Sequence, residues 1–143
     1  MGILEKAKNI TDTDLRLVVT QASDPEAALR RHILSLEESQ RQLRGSEEHL
    51  ARQCDWLQAG IDRKLALAES WDKREAQAKA AGREDLAQHA RERKNELLAQ
   101  LAEDRRELDR VAPQVSEVRT RLEEVRAKIV KARDARKQLF GER

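Results

Sequence analysis

Lys79-Ala80-Ala81-Gly82-Arg83-Glu84-Asp85 interrupts two long apolar repeats, and this break decides the fold. Gly82 can take the left-handed conformation that ends a helix. Glu84 and Asp85 suit the first turn of the next helix, where carboxylates oppose its dipole. Upstream, Leu29, Ile33, Leu36, Gln40, Leu43, Glu47, Leu50, Cys54, Leu57, Ile61, Lys64, Ala68, Trp71, Glu75 and Ala78 recur in alternating steps of four and three. That is a heptad seam with four polar positions. Downstream, a second seam runs Leu86, Ala90, Lys94, Leu97, Leu101, Asp104, Leu108, Val111, Val115, Val118, Leu122, Val125, Ile129, Ala132, Arg136 and Leu139. Two seams of matching length joined by a tight turn predict an all-α, antiparallel coiled-coil hairpin. Each helix would hold about 55 residues and extend ~80 Å at 1.5 Å per residue.

The hairpin is expected over 24–143, with helices at 26–80 and 84–139 and a tip at 81–85. Asp24 can cap the first helix, Pro25 suits its first position, and Glu26 suits its dipole. Gly45 and Gly60 weaken it by up to ~1 kcal/mol each relative to alanine. Pro113 removes one helical hydrogen bond and predicts a kink near Val111, either a hinge or a tolerated bend. Leu67, Leu98, Val130 and Phe140 lie off the seams and suggest self-association.

Residues 1–23 form a separate segment. Ile3, Leu4, Ala7 and Ile10 share one face of a short helix, with Lys6 and Lys8 nearby. These six are candidates for membrane contact, since amphipathic helices can lie in the bilayer interface. The alternative is a staple packed on the hairpin. Thr11-Asp12-Thr13-Asp14 offers capping residues, and Leu15, Val18, Val19 and Ala22 suggest a further helical turn or two.

Charged residues make up 39% of the 143 positions and aromatics only 2%, with no tyrosine. Such a composition favours long helices over a globular core. Regular apolar spacing argues against disorder. Lys and Arg number 29 against 27 Asp and Glu, a balance that speaks against a specific nucleic-acid partner. The charge is nevertheless uneven: Arg126, Lys128, Lys131, Arg133, Arg136, Lys137 and Arg143 are opposed only by Asp134 and Glu142. These cations either complement a helix C-terminus or form a surface for anionic partners. In an antiparallel hairpin they return beside Pro25 and the N-terminal segment.

No catalytic, cofactor or metal site is expected. His32, His49 and His89 are far apart and form no helical metal-binding pair. Cys54 is the single cysteine, on a seam position, so it should be buried and inert. Glycine-rich phosphate loops and nucleophile elbows are absent. No apolar run approaches the ~20 residues of a membrane span, and there is no signal-peptide pattern. The expectation is a cytoplasmic protein that touches a membrane without crossing it.

Trp71 to Ala87, WDKREAQAKAAGREDLA, resembles the phage shock protein A family, which includes the plastid vesicle-inducing proteins and belongs to the ESCRT-III superfamily. The run Gly82 to Ala87 carries the likeness best. Asp24-Pro25 opening a long helix and Met1-Gly2-Ile3 are also similar. The chain ends near the end of the hairpin, so it resembles a short form lacking the family's further C-terminal helices. The resemblance implies a stress-response scaffold, peripheral on the inner face of the cell membrane, that binds anionic lipid and self-assembles into oligomers or filaments. It implies alternatively a soluble regulator that inhibits an AAA+ transcription activator or co-assembles with a longer family member. Gly82, Arg83, Glu84 and Asp85 are the candidate assembly contacts at the tip. A generic adaptor touching nucleic acid fits less well, given the charge balance and few aromatics.

Overall fold

A computed structural model describes residues 2–141. Met1, Glu142 and Arg143, which figured in the likeness at the N-terminus and in the basic run, lie outside the described residues. Four helices follow in order: α1 (Ile3–Ala7), α2 (Thr13–Gln21), α3 (Pro25–Ala80) and α4 (Glu84–Phe140). Among the described residues there is no strand. α3 and α4 pack against each other as a helical hairpin. The contacts divide into two units, residues 48–116 and residues 1–47 with 117–143.

The unit of residues 48–116 contains the chain reversal. Gly82 has φ +71°, the left-handed region. Its N–H donates to the Lys79 carbonyl at 3.1 Å, and the Arg83 N–H donates to the Ala78 carbonyl at 2.9 Å. This pair of bonds is a Schellman motif, which satisfies carbonyls that the end of α3 would otherwise leave open. Ala87 and Ala90 are buried, while Leu86 is exposed. The second seam therefore begins at Ala87, not at Leu86. Small residues allow the two helices to approach closely beside a tight turn.

Further along this unit Leu57, Ile61, Ala68, Leu101, Val111 and Val115 are buried. Leu50, Leu97 and Leu108 are half-buried, because a two-helix layer cannot enclose every seam side chain. Cys54 is likewise half-buried rather than sealed. The polar seam positions find partners across the hairpin. Lys64 pairs with Asp104 at 2.5 Å, Lys94 with Asp72 at 2.6 Å, and Arg91 with Glu75 at 3.3 Å. Hydrogen bonds from Lys79 and Arg91 hold the Glu75 carboxyl below the usual carboxylate range. Pro113 lies within α4, which continues unbroken through it. Both Pro113 and Asp109, the residue whose carbonyl loses its donor, are exposed, so water can satisfy the gap.

The second unit holds the base of the hairpin. Asp12 caps α2 by accepting from the Leu15 N–H at 3.0 Å. Asp24 accepts from the Ala27 N–H at 3.2 Å and starts α3, with Pro25 in the first position. Leu29 and Ile33 of α3 and Ala132, Ala135 and Leu139 of α4 bury a common core with Ala7, Ile10, Leu15 and Val19. Leu36 and Phe140 pack against it, so Phe140 serves this core rather than a free surface. Leu122 and Ile129 are buried, and Leu43 and Val125 half-buried. Glu37–Arg133 (3.7 Å) and Glu47–Arg119 (3.8 Å) bridge the two helices here.

Gly45 is exposed on α3, and a Cβ added there meets nothing within 4 Å. Gly45→Ala is therefore expected to stabilise the chain by up to about 1 kcal/mol, through helix propensity alone. A thermal melt followed by circular dichroism should show a higher midpoint. A lower one would mean that the glycine serves a contact outside this chain.

Candidate attachment and assembly surfaces

The N-terminal candidates divide by orientation. Ala7 and Ile10 are buried in the base core, and Ile3 packs against it half-buried. Leu4, Lys6 and Lys8 are exposed. The segment is thus a staple in this conformation, with its apolar face turned into the protein. The cause lies in the neighbours: α1 is only five residues long, and α2 contributes Leu15 and Val19 to the same core. Two short helices together bury enough apolar surface to hold, where five residues alone would not.

On the same unit, Arg126, Lys128, Lys131, Arg133 and Lys137 of α4 are exposed, and Arg136 is half-buried. Arg133 is engaged by Glu37. Lys131 borders a shallow cleft of about 180 Å³, which Asn9, Thr11 and Asp12 of the α1–α2 loop line from the other side. Leu17, Leu34 and Val130 are exposed apolar side chains of this unit. The sequence-predicted cations and the α1 segment accordingly belong to one compact body.

At the tip, Gly82, Arg83, Glu84 and Asp85 are all exposed. Arg83 grips Asp85 as a fork, with Nε to Oδ1 at 3.1 Å and Nη2 to Oδ2 at 3.0 Å. The guanidinium holds the Asp85 carboxyl below its usual range, and Asp85 raises Arg83 in turn. Glu84 reaches Arg91 at 3.5 Å. The tip charges are thus arranged chiefly among themselves.

One exposed feature has no place in the seams. Trp56 stands 71% exposed beside buried Leu57. With Gly60, Arg63 and Leu67 it forms a second stripe of steps four, three and four, immediately next to the first seam. That spacing was visible in the sequence, but a single tryptophan beside a leucine seam does not reveal which side it faces.

Among the described residues, no group of His, Cys, Asp and Glu is placed to hold a metal ion. No described helix is long and apolar enough to cross a membrane. The fold and its surfaces define an α-helical hairpin protein of the coiled-coil class, with a stapled N-terminus, basic side chains on the unit at the base, and an exposed charged tip.

The chain is 29% identical over 140 residues to the membrane-associated protein Vipp1 of Nostoc punctiforme, covering 97% of this chain and 54% of that relative. It is 26% identical over a 157-residue alignment to the membrane-associated protein Vipp1 of Synechocystis, covering 99% of this chain and 59% of the relative. The chain therefore spans somewhat more than half the length of the curated relatives it matches. No family model matches it, and no solved structure does. This likeness and the helical hairpin support the resemblance to the ESCRT-III-like family of phage shock protein A and Vipp1.

Proposed function

We propose that this chain is a non-enzymatic scaffold that binds anionic membrane surfaces peripherally, on the cytoplasmic face, and assembles with copies of itself or longer family members. The observation that carries this reading is the likeness, along nearly all of this chain, to two membrane-associated proteins of which it spans somewhat more than half. The base of the hairpin gives it a physical basis. Exposed Leu4, Lys6 and Lys8 share a unit with Lys128, Lys131 and other cations. Cations beside a membrane anionic on that face are attracted by about 1 kcal/mol each, and salt screens the attraction. Attachment in the stapled form is electrostatic. Insertion of Ala7 and Ile10 would require the segment to leave the base core.

Co-sedimentation with vesicles tests this directly. Binding is expected with anionic vesicles, should fall as salt rises, and should be absent with neutral ones. The double charge reversal Lys6→Glu with Lys8→Glu should weaken it by at least ~30-fold, taking about 1 kcal/mol per lost cation. Equal binding to neutral and anionic vesicles would sink the electrostatic reading.

Self-assembly is proposed to use the tip. Charges of both signs can set the register of stacked hairpins, but here a neighbour would have to compete for the Arg83–Asp85 fork. Arg83→Glu should leave helix content and melting nearly unchanged, since exposed ion pairs contribute little. Assembly seen by negative-stain microscopy, alone or with a longer family member, should be lost. If it persists, the tip residues serve only the chain reversal.

A further inference from the structure

The flank of the 48–116 unit carries a groove between α3 and α4, where the edges of several seam side chains stay open and which the membrane reading does not use. Its widest part, about 500 Å³, lies among Trp56, Gly60, Leu67 and Leu97. Two further depressions of about 350 and 370 Å³ continue it past Trp71 to Leu86. The smaller of these shares Leu67 and Leu97 with the first and Trp71 and His89 with the other, so the three form one track. From Trp56 to Ala78 that track follows α3 for ~33 Å at 1.5 Å per residue.

The floor is apolar and its outer features suit a knob from another molecule. Trp56 is 71% exposed, and Leu67 and Leu86 are nearly half exposed. Gly60 leaves a notch, covered only by the end of the Arg63 side chain, 3.8 Å from where a Cβ would stand. A tryptophan beside such a notch is the residue type that most often dominates binding energy.

The charge on the rim selects the occupant. Its carboxylates are already engaged, Asp104 by Lys64 at 2.5 Å and Glu96 by Arg93 at 3.5 Å. Arg63 and Arg74 have no ion-pair partner among the described residues, and Arg74 lies over the Trp71 ring at 4.4 Å. The uncompensated charge along the groove is therefore positive. A groove between two helices has no unpaired backbone edge, so a strand cannot be added to it. Ridges of a third helix can fill it.

We infer that this groove docks an acidic amphipathic helix of a partner protein, with its apolar face on Trp56, Leu67 and Leu97 and its carboxylates on Arg63 and Arg74. A second copy placed face to face across a two-fold axis would set this basic rim against itself. A bilayer, flat on this scale, would not reach Leu57 and Leu97 at the floor. The inference stands independently of membrane attachment, whose candidate residues belong to the other unit.

Both tryptophans of the chain line the groove, so intrinsic fluorescence reports on it without a label. The probes are two designed helical peptides of about 22 residues, a length set by the groove. They carry identical leucine faces and are flanked by glutamate in one and lysine in the other. The glutamate peptide should bind the full chain saturably and shift the emission to the blue. The lysine peptide should bind at least tenfold more weakly. Arg63→Glu with Arg74→Glu should invert that order while circular dichroism and vesicle co-sedimentation stay unchanged. Equal binding of both peptides, or no inversion in the double variant, overturns the inference. A blue shift on concentrating the chain alone makes the occupant a second copy, and a shift on anionic vesicles makes it a membrane. Either of those results also overturns it.

Discussion

Leu122→Asp should lower the melting temperature so far that the hairpin is largely unfolded at room temperature. Leu122 is 2% exposed, among the most deeply buried side chains of α4. Removing a buried leucine side chain costs about 2–5 kcal/mol. The aspartate must in addition either bury an unpaired charge or take up a proton, which costs more. The sum rivals the whole stability of a small domain, about 5–15 kcal/mol. Leu57→Asp should act alike, since Leu57 is buried in the other unit. Exposed Gln58 provides the control. Its side chain donates to Asp62 at 3.0 Å, so Gln58→Asp sets two carboxylates one turn apart. That repulsion amounts to less than about 1 kcal/mol. Thermal melts of the three variants decide the matter, and equal midpoints for Leu57→Asp and Gln58→Asp would refute the seam.

Val19→Asp is expected to release the N-terminal staple without opening the hairpin. Val19 is fully buried in the core that also holds Ala7, Ile10 and Leu15. Residues 3–21 of that core are two short helices and the loop between them, which have little stability once undocked. A buried carboxylate costs several kcal/mol, more than docking can supply, so undocking relieves it. Hydrogen exchange should show lost protection over residues 3–21 and retained protection in the middle of α3 and α4. Freed Ala7 and Ile10 would then be available to lipid, and binding to anionic vesicles should tighten at least tenfold. Loss of vesicle binding in the released variant would show that the docked staple is itself the attachment surface. Global unfolding would show that the base core supports the whole hairpin.

Much of this architecture was legible in local signals. Gly82 followed by two acidic residues marks a reversal because only glycine enters the left-handed region freely and carboxylates favour a helix start. Leu29 to Ala78 keeps a heptad because an α-helix returns a residue to the same face every 3.5–3.6 positions. Those are properties of the chain within a few residues, and they hold whatever packs nearby. Leu86 departs from its seam because the alternation of threes and fours, counted back from Lys94 and Ala90, falls on Ala87 and leaves the leucine one position out of phase.

Local order along the chain was enough to fix the helices, the chain reversal and the stripe that each long helix turns toward the other. It marked Ile3, Leu4, Ala7 and Ile10 as one apolar face, without saying what that face meets. A lipid interface and the core beside Leu29 and Leu139 both remove apolar surface from water, and burial rewards them by the same law of area. Only the tertiary structure chose the core, placing Ala7 and Ile10 inside and leaving Leu4 with the lysines outside. It alone matched Lys64 to Asp104, residues forty positions apart. It alone also left Trp56 standing over an unfilled groove. Periodicity is a property of neighbours along the chain, whereas partnership depends on which distant surfaces the fold brings together.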